Sequence, residues 1–176
     1  TKVCQSFLNI INQTLNYVVG SVAKLPVYDI PDECAEIALE CIEIAREDWD
    51  SFECSWDFIR HPLVGDFSRI EDAYNHWESK CFGRFERIKM LEEKLNAIFI
   101  DLYGLEEELS PEIEDSSITI RLANKERDIR SLISYAVGCI VGRYSLDSEG
   151  VVYAGGTWDG KKYYTYHPDK DNIIPI

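Results

Sequence analysis

From Ile70 onward the apolar residues form a helical ladder. Ile70, Tyr74, Trp77, Cys81, Phe85, Ile88, Leu91, Leu95, Ile98 and Leu102 follow one another in steps of three and four. That spacing gathers them on one face of an α-helix. Ser68 with Glu71 forms a capping box at the start, Gly104 is a natural stop, and no proline intervenes. The pattern predicts a helix over 68–103, ~50 Å long at ~1.5 Å per residue. Such a helix suits a spacer or coiled-coil arm as well as the long core member of a bundle.

The other elements are shorter. Residues 3–10 look like the end of a helix. Residues 15–27 read as extended, because Val18, Val19, Val22 and Val27 are β-branched, Gly20 permits a bend and Pro26 opposes a helix. Pro31-Asp32-Glu33 opens a helix that Ile37, Cys41, Ile44 and Ala45 carry to about Trp49. Residues 50–67 form an irregular connection whose Phe52, Trp56, Phe58 and Leu63 imply packing. After an acidic connection, Ile118-Thr119-Ile120 suggests a short strand. Asn124 caps a further helix to about Tyr144, nearly apolar all round and therefore expected to be buried; its Gly138 and Gly142 suit close helix packing. From Gly150 the chain turns to glycine and tyrosine, with Asp159-Gly160 as a hairpin turn.

The expected fold class is therefore mainly α with small β elements. A long helix packs in a helical bundle or spacer, with short strands near residues 15–27 and 151–166. The expected organisation is 1–28, then a helical spacer over 29–115, then a buried helix with a loop or hairpin tail over 116–176.

Composition adds bounds. The 176 residues, 45% apolar and 12% aromatic, suffice for one sizeable core. No uncharged apolar run is long enough to span a membrane, so no membrane partner is expected. The opening Thr1-Lys2-Val3-Cys4 resembles neither an initiator methionine nor a signal peptide, and the end Ile173-Ile174-Pro175-Ile176 is apolar. Both suggest a piece of a longer chain. The six cysteines include no Cys-x-x-Cys pair, which argues against zinc and for buried thiols in a reducing cytoplasm.

Charge is the most informative bulk property. Of the net −14, residues 29–57 hold 11 acids against Arg46, and residues 101–115 hold seven acids and no base. These stretches total −17, so the remainder carries +3. The acidic runs read as a solvated helix face and loop, or as a surface that docks a basic partner or mimics DNA.

Catalytic signatures are missing. A nucleotide or S-adenosylmethionine loop needs closely spaced glycines, yet no Gly-x-Gly occurs. Amino-methylation of a flipped adenine needs an Asn/Asp-Pro-Pro-aromatic tetrapeptide, yet no Pro-Pro occurs. His76 and Cys81 are five apart on one predicted helix and face differently. Pro31-Asp32 with Glu92-Glu93-Lys94 matches a nuclease pattern in letters, but Glu78-Ser79-Lys80 does so equally. His167-Pro168-Asp169-Lys170-Asp171-Asn172 lacks the glycine turn of a calcium loop. No catalytic residue and no metal ligand are expected.

The wording of the sequence is more specific. Leu15-Asn16-Tyr17-Val18-Val19-Gly20-Ser21-Val22 followed by Leu25-Pro26-Val27 resembles a segment of large bacterial adenine-specific DNA methyltransferases. There an Asn-x-Thr-x-Asn-aromatic run leads through glycine into an (Ile/Leu)-Pro-(Ile/Val) strand. Asp48-Trp49-Asp50-Ser51-Phe52-Glu53, Ser55-Trp56-Asp57-Phe58 and His61-Pro62-Leu63 are similar to the same family. So are Leu102-Tyr103-Gly104-Leu105, Ser134-Tyr135-Ala136-Val137-Gly138-Cys139, Gly142-Arg143-Tyr144-Ser145-Leu146 and Tyr153-Ala154-Gly155-Gly156. The family is that of the BREX phage-exclusion (PglX-type) methyltransferases, and the resemblance runs in order along nearly the whole chain.

The resemblance implies the region downstream of the catalytic domain, with residues 1–28 closing a target-recognition-like segment. It implies no cofactor in this piece, S-adenosylmethionine for the parent, DNA as the parent's partner, other phage-defence subunits as further partners, and a cytoplasmic setting. Arg121, Lys125, Arg127 and Arg130 near one helix start, and Lys161 and Lys162 in the tail, are the candidate phosphate contacts, against a reading as ordinary surface charge. Trp158, Tyr163, Tyr164 and Tyr166 are candidates for base stacking or for core packing. Two alternatives stand beside this: an acidic protein-interaction module that never meets DNA, and a helical domain with a hydrolytic site around Asp32 or Glu92.

Overall fold

In the computed structural model, residues 1–12 and 18–168 are described. They form five α-helices: α1 (Lys2–Ile11), α2 (Val19–Val22), α3 (Asp32–Asp50), α4 (Ile70–Tyr103) and α5 (Lys125–Ile140). Two 3-10 turns lie at Asp115–Ser117 and Gly160–Lys162. The chain folds into two compact units, one from residues 1–44 and 84–120, the other from 45–83 and 121–176.

In the first unit, α3 opens where Cys34 N–H reaches the Pro31 carbonyl at 3.0 Å. Its acids meet bases of α4 in antiparallel register: Glu33 with Lys94 at 2.9 Å, and Glu40 with Arg87 at 2.5 Å. These pairs are solvent-exposed, so they set register more than they add stability. Stability comes from the apolar cluster of Phe85, Ile88, Ile118 and Ile120, with Cys41, Ile44 and Ile113 against it. The buried Asn96 accepts from Lys2 N–H at 2.9 Å and donates to the Pro111 carbonyl at 3.2 Å. Helix α4 ends as the sequence indicates. Gly104 takes φ +63°, Gly104 N–H donates to the Asp101 carbonyl and Leu105 N–H to the Ile100 carbonyl, the paired bonds of a Schellman stop.

The second unit holds two aromatic clusters. Phe52, Leu63, Ala73, Trp77 and Cys81 form one, packed by Tyr74, Ala123, Ile129 and Leu132. Phe58, Tyr135, Cys139 and Tyr144 form the other. Residues 50–67 are thus the packed connection that their aromatic content predicts.

The β elements are not found. Residues 15–17 lie outside the described residues. Within 18–27 the chain makes the single helical turn α2, with Ala23 N–H on the Val19 carbonyl at 2.9 Å. Residues 151–166 contain no strand; Asp159-Gly160 starts a 3-10 turn in place of a hairpin. Ile118 and Ile120 are buried and Thr119 is exposed, a strand's alternation, but no ladder forms. β-Branched residues favour strands only where a neighbour completes the hydrogen bonds. No strand is present among the described residues to do so.

Helix α5 also departs from its expected all-round burial. It buries Asp128, Tyr135, Gly138 and Cys139, while Ile133, Val137 and Val141 stand exposed one turn apart. Gly138 and Gly142 do not admit a helix. A Cβ at Gly138 would lie 2.4 Å from a Tyr144 ring carbon, and one at Gly142 would lie 2.8 Å from Trp158. Rings from the following loop take that space.

Candidate nucleic-acid interface

All six cations singled out in the sequence fall in the second unit. That unit carries 16 acids and 12 bases, against 16 and six in the first, so the net charges are −4 and −10.

The first group surrounds the start of α5. The Asn124 side chain accepts from Arg127 N–H at 2.9 Å and fixes the first turn. Asp128, 2% exposed, lies one turn in. Its carboxylate accepts from Trp77 Nε1 at 3.0 Å, Asn124 N–H at 2.9 Å and Arg127 Nε at 2.7 Å. Arg127 also donates to the Leu122 carbonyl at 2.9 Å, and its guanidinium lies 5.3 Å from the Phe52 ring. The Arg121 guanidinium covers the same ring at 4.4 Å, while Arg121 N–H donates to Asp48 Oδ2 at 3.3 Å. Two of the six cations are therefore occupied in holding Phe52 and the start of α5. Lys125 is exposed, its ammonium 6.0 Å from the Tyr74 ring. Arg130 pairs with Glu126 at 2.6 Å on an open surface, a contact readily exchanged for a phosphate.

The second group sits at the other end of α5. The Tyr163 hydroxyl donates to the Gly142 carbonyl at 2.5 Å, and Trp158 stacks on Tyr163 with ring centres 4.7 Å apart. The Ser145 hydroxyl donates to the Lys162 carbonyl at 2.6 Å. Asp147 accepts from Tyr164 N–H at 2.6 Å, Thr165 N–H at 2.8 Å and the Thr165 hydroxyl at 2.5 Å. Those bonds, the Thr165 hydroxyl first, hold the Asp147 carboxyl below its ordinary value. The loop is pinned from inside, and Lys161, Lys162 and Tyr164, the last 73% exposed, point outward. Tyr163 is buried in packing, while Trp158 rests on it and stays half-exposed. The exposed Arg143 at the same end escaped the sequence reading. Asp147 did too, since nothing local marks it as the partner of residues 17 and 18 positions later.

The two groups stand at opposite ends of α5.

Tyr135, Cys139 and His61 are buried in the second unit and form no activated pair. Burial pushes the Tyr135 hydroxyl up to about 12 and raises the Cys139 thiol. His61, 3% exposed, is pushed down to about 4 by burial, and its Nδ1 accepts from Leu63 N–H at 3.2 Å. All three are neutral at pH 7, so no thiolate–imidazolium pair forms. Asp32 is exposed at the start of α3, and Glu92 is half-buried on α4. Among the described residues, no three His, Cys, Asp or Glu side chains converge to hold a metal. The space at Gly138 and Gly142 is taken by the Tyr144 and Trp158 rings, so neither offers open backbone to a ligand.

Comparison with known proteins fixes the family. The chain is 43% identical over 176 residues to the adenine-specific methyltransferase PglX of Lacticaseibacillus casei (strain Zhang), a match covering 96% of this chain. It is 31% identical over 193 residues to the adenine-specific methyltransferase BrxX of Escherichia coli O9:H4 (strain HS), again over 96% of the chain. The chain belongs to the BREX PglX-type methyltransferase family. It spans only 15% and 16% of the length of those two relatives. No family model matches the chain. Among the described residues, no helix is long and apolar enough to cross a membrane.

Proposed function

We propose that the chain is a non-catalytic, DNA-contacting helical segment of an S-adenosylmethionine-dependent adenine-N6 DNA methyltransferase of a phage-defence or restriction-modification system. The observation that carries this is its match, nearly end to end, to a small part of two adenine-specific methyltransferases. Cofactor binding and methyl transfer are assigned to the rest of the polypeptide, since no Gly-x-Gly and no Pro-Pro occur in this chain. Residues 1–28 close a target-recognition-like segment, and residues 29–115 serve as spacer. Cytoplasmic location and contact with other defence subunits belong to the same reading.

Within that role, Lys125 and Arg130 at one end of α5, and Lys161, Lys162 and Arg143 at the other, touch backbone phosphates. Tyr164 packs against the nucleic acid beside them. Arg121 and Arg127 position the loop and the helix start. Phosphate contacts of this kind orient an enzyme on DNA without reading sequence.

A gel-shift titration with a short duplex tests this. A retarded band at low salt that fades at moderate salt supports it, with a log–log salt slope of about one per contact. No band at low salt contradicts the DNA contact. That result favours the second reading, an acidic protein-interaction module, for which the −10 charge of the first unit is the specific observation.

A further inference from the structure

Trp56 is fully exposed on a loop that is otherwise anchored. On one side of it Phe52 is buried edge-on to Trp77, with ring centres 6.5 Å apart. On the other, Phe58 is buried between Tyr135 and Tyr144, at 5.9 Å and 5.6 Å. Between these anchors, Ser55 N–H donates to the Phe52 carbonyl at 2.9 Å and the Ser55 hydroxyl to Asp50 Oδ1 at 2.5 Å. Asp57 N–H donates to Ser55 Oγ at 3.0 Å. Just beyond, the Ile59 carbonyl accepts from Gly150 N–H at 2.8 Å, and Arg60 donates to the Leu146 carbonyl at 3.1 Å. The loop is fixed at both ends and through its middle, yet its largest side chain faces water.

An indole held rigidly in solvent is an interface anchor. Tryptophan is enriched among the residues that dominate binding energy, and a loop already ordered loses little entropy when its side chain docks. The surrounding charge selects the partner. In sequence, Glu47, Asp50, Glu53 and Asp57 lie near Trp56, against Arg46 and Arg60, and the Arg60 guanidinium is engaged by the Leu146 carbonyl. This local excess of acids favours a basic protein surface over DNA as the partner of Trp56. The chain also accounts for only 15% and 16% of its relatives' length, which leaves most of such a polypeptide to supply that surface.

We propose that Trp56 inserts into an apolar pocket with a basic rim on another part of the same methyltransferase polypeptide. This rests on the reading of the chain as a segment of such a polypeptide.

Hydroxyl-radical footprinting read by mass spectrometry tests it, with Trp56 followed in the 176-residue chain and in the full-length methyltransferase that contains it. The expected result is oxidation slowed by about tenfold in the full-length protein, at all concentrations and without added DNA. Equal rates overturn the proposal. So does protection that grows with protein concentration, which denotes a second copy, or that needs duplex DNA or another subunit. Trp56→Ala is the companion variant. It leaves the melting temperature of the 176-residue chain unchanged and speeds proteolysis of the full-length protein; unchanged proteolysis counts against the proposal. Adenine methylation by the same full-length sample is measured separately. Its absence defeats the methyltransferase reading while the footprint still decides Trp56.

Discussion

The Trp77 indole N–H donates to the buried Asp128 carboxylate at 3.0 Å and links the long helix α4 to the first turn of α5. The same carboxylate holds Asn124 N–H and the Arg127 side chain. Asp128→Ala leaves these donors without an acceptor in a buried place and is expected to cost about 2–4 kcal/mol of unfolding free energy. Denaturant titration measures it. A loss under ~0.5 kcal/mol, the range of a plain surface substitution, contradicts this role.

Gly138→Ala is expected to destabilise by about 1–3 kcal/mol, because its methyl would overlap the Tyr144 ring and both lie in a packed core. Gly142→Ala adds backbone strain at φ +80° to a clash with Trp158. Thermal melts of both variants check this, and near-UV circular dichroism should lose the signal of the stacked Trp158 and Tyr163.

His61 carries the clearest pH dependence. Its folded value of about 4 lies below the ordinary 6.5 because burial disfavours the imidazolium. Between those values the unfolded chain binds a proton that the folded chain refuses, so stability falls as pH drops through the window and is unaffected above it. From pH 7 to pH 5 the loss attributable to His61 is about 2 kcal/mol. His61→Asn keeps an acceptor for Leu63 N–H and removes the titration. The drop in unfolding free energy from pH 7 to pH 5 should be smaller for the variant than for the parent chain by that amount.

Asp147→Ala releases Tyr164 and Thr165 from their shared carboxylate while leaving Lys161 and Lys162 in place. Cleavage by protease near residue 164 is expected to accelerate, and low-salt DNA affinity to fall several-fold, because the loop then loses its preorganisation. Unchanged affinity would mean that the pinned loop is irrelevant to DNA.

Much of the helical part was legible because its signals are local. The three- and four-residue ladder from Ile70, the Gly104 stop and the Asn124 cap each act within a turn or two, and each is found at or near its expected place. The capping box at Ser68 shifts slightly: Ala73 N–H reaches the Arg69 carbonyl, and Glu71 pairs with Arg69 instead. What was not legible depends on distant partners. Val18, Val19 and Val22 carry strand propensity but meet no strand, so a helical turn closes on its own hydrogen bonds. Arg121 and Arg127 look like surface cations in the sequence, and only the approach of Phe52 and Asp128 shows them as packing groups. The exposure of Ile133, Val137 and Val141 likewise depends on what lies beside α5, which periodicity does not encode.

The most direct measurement is steady-state adenine methylation by the full-length methyltransferase carrying Lys125→Glu, Arg130→Glu, Lys161→Glu and Lys162→Glu together. A DNA-positioning segment without chemistry predicts a KM for DNA raised at least about tenfold, with kcat nearly unchanged and the difference growing at lower salt. A KM equal to that of the unsubstituted enzyme would contradict it, as would a collapse of kcat at unchanged KM.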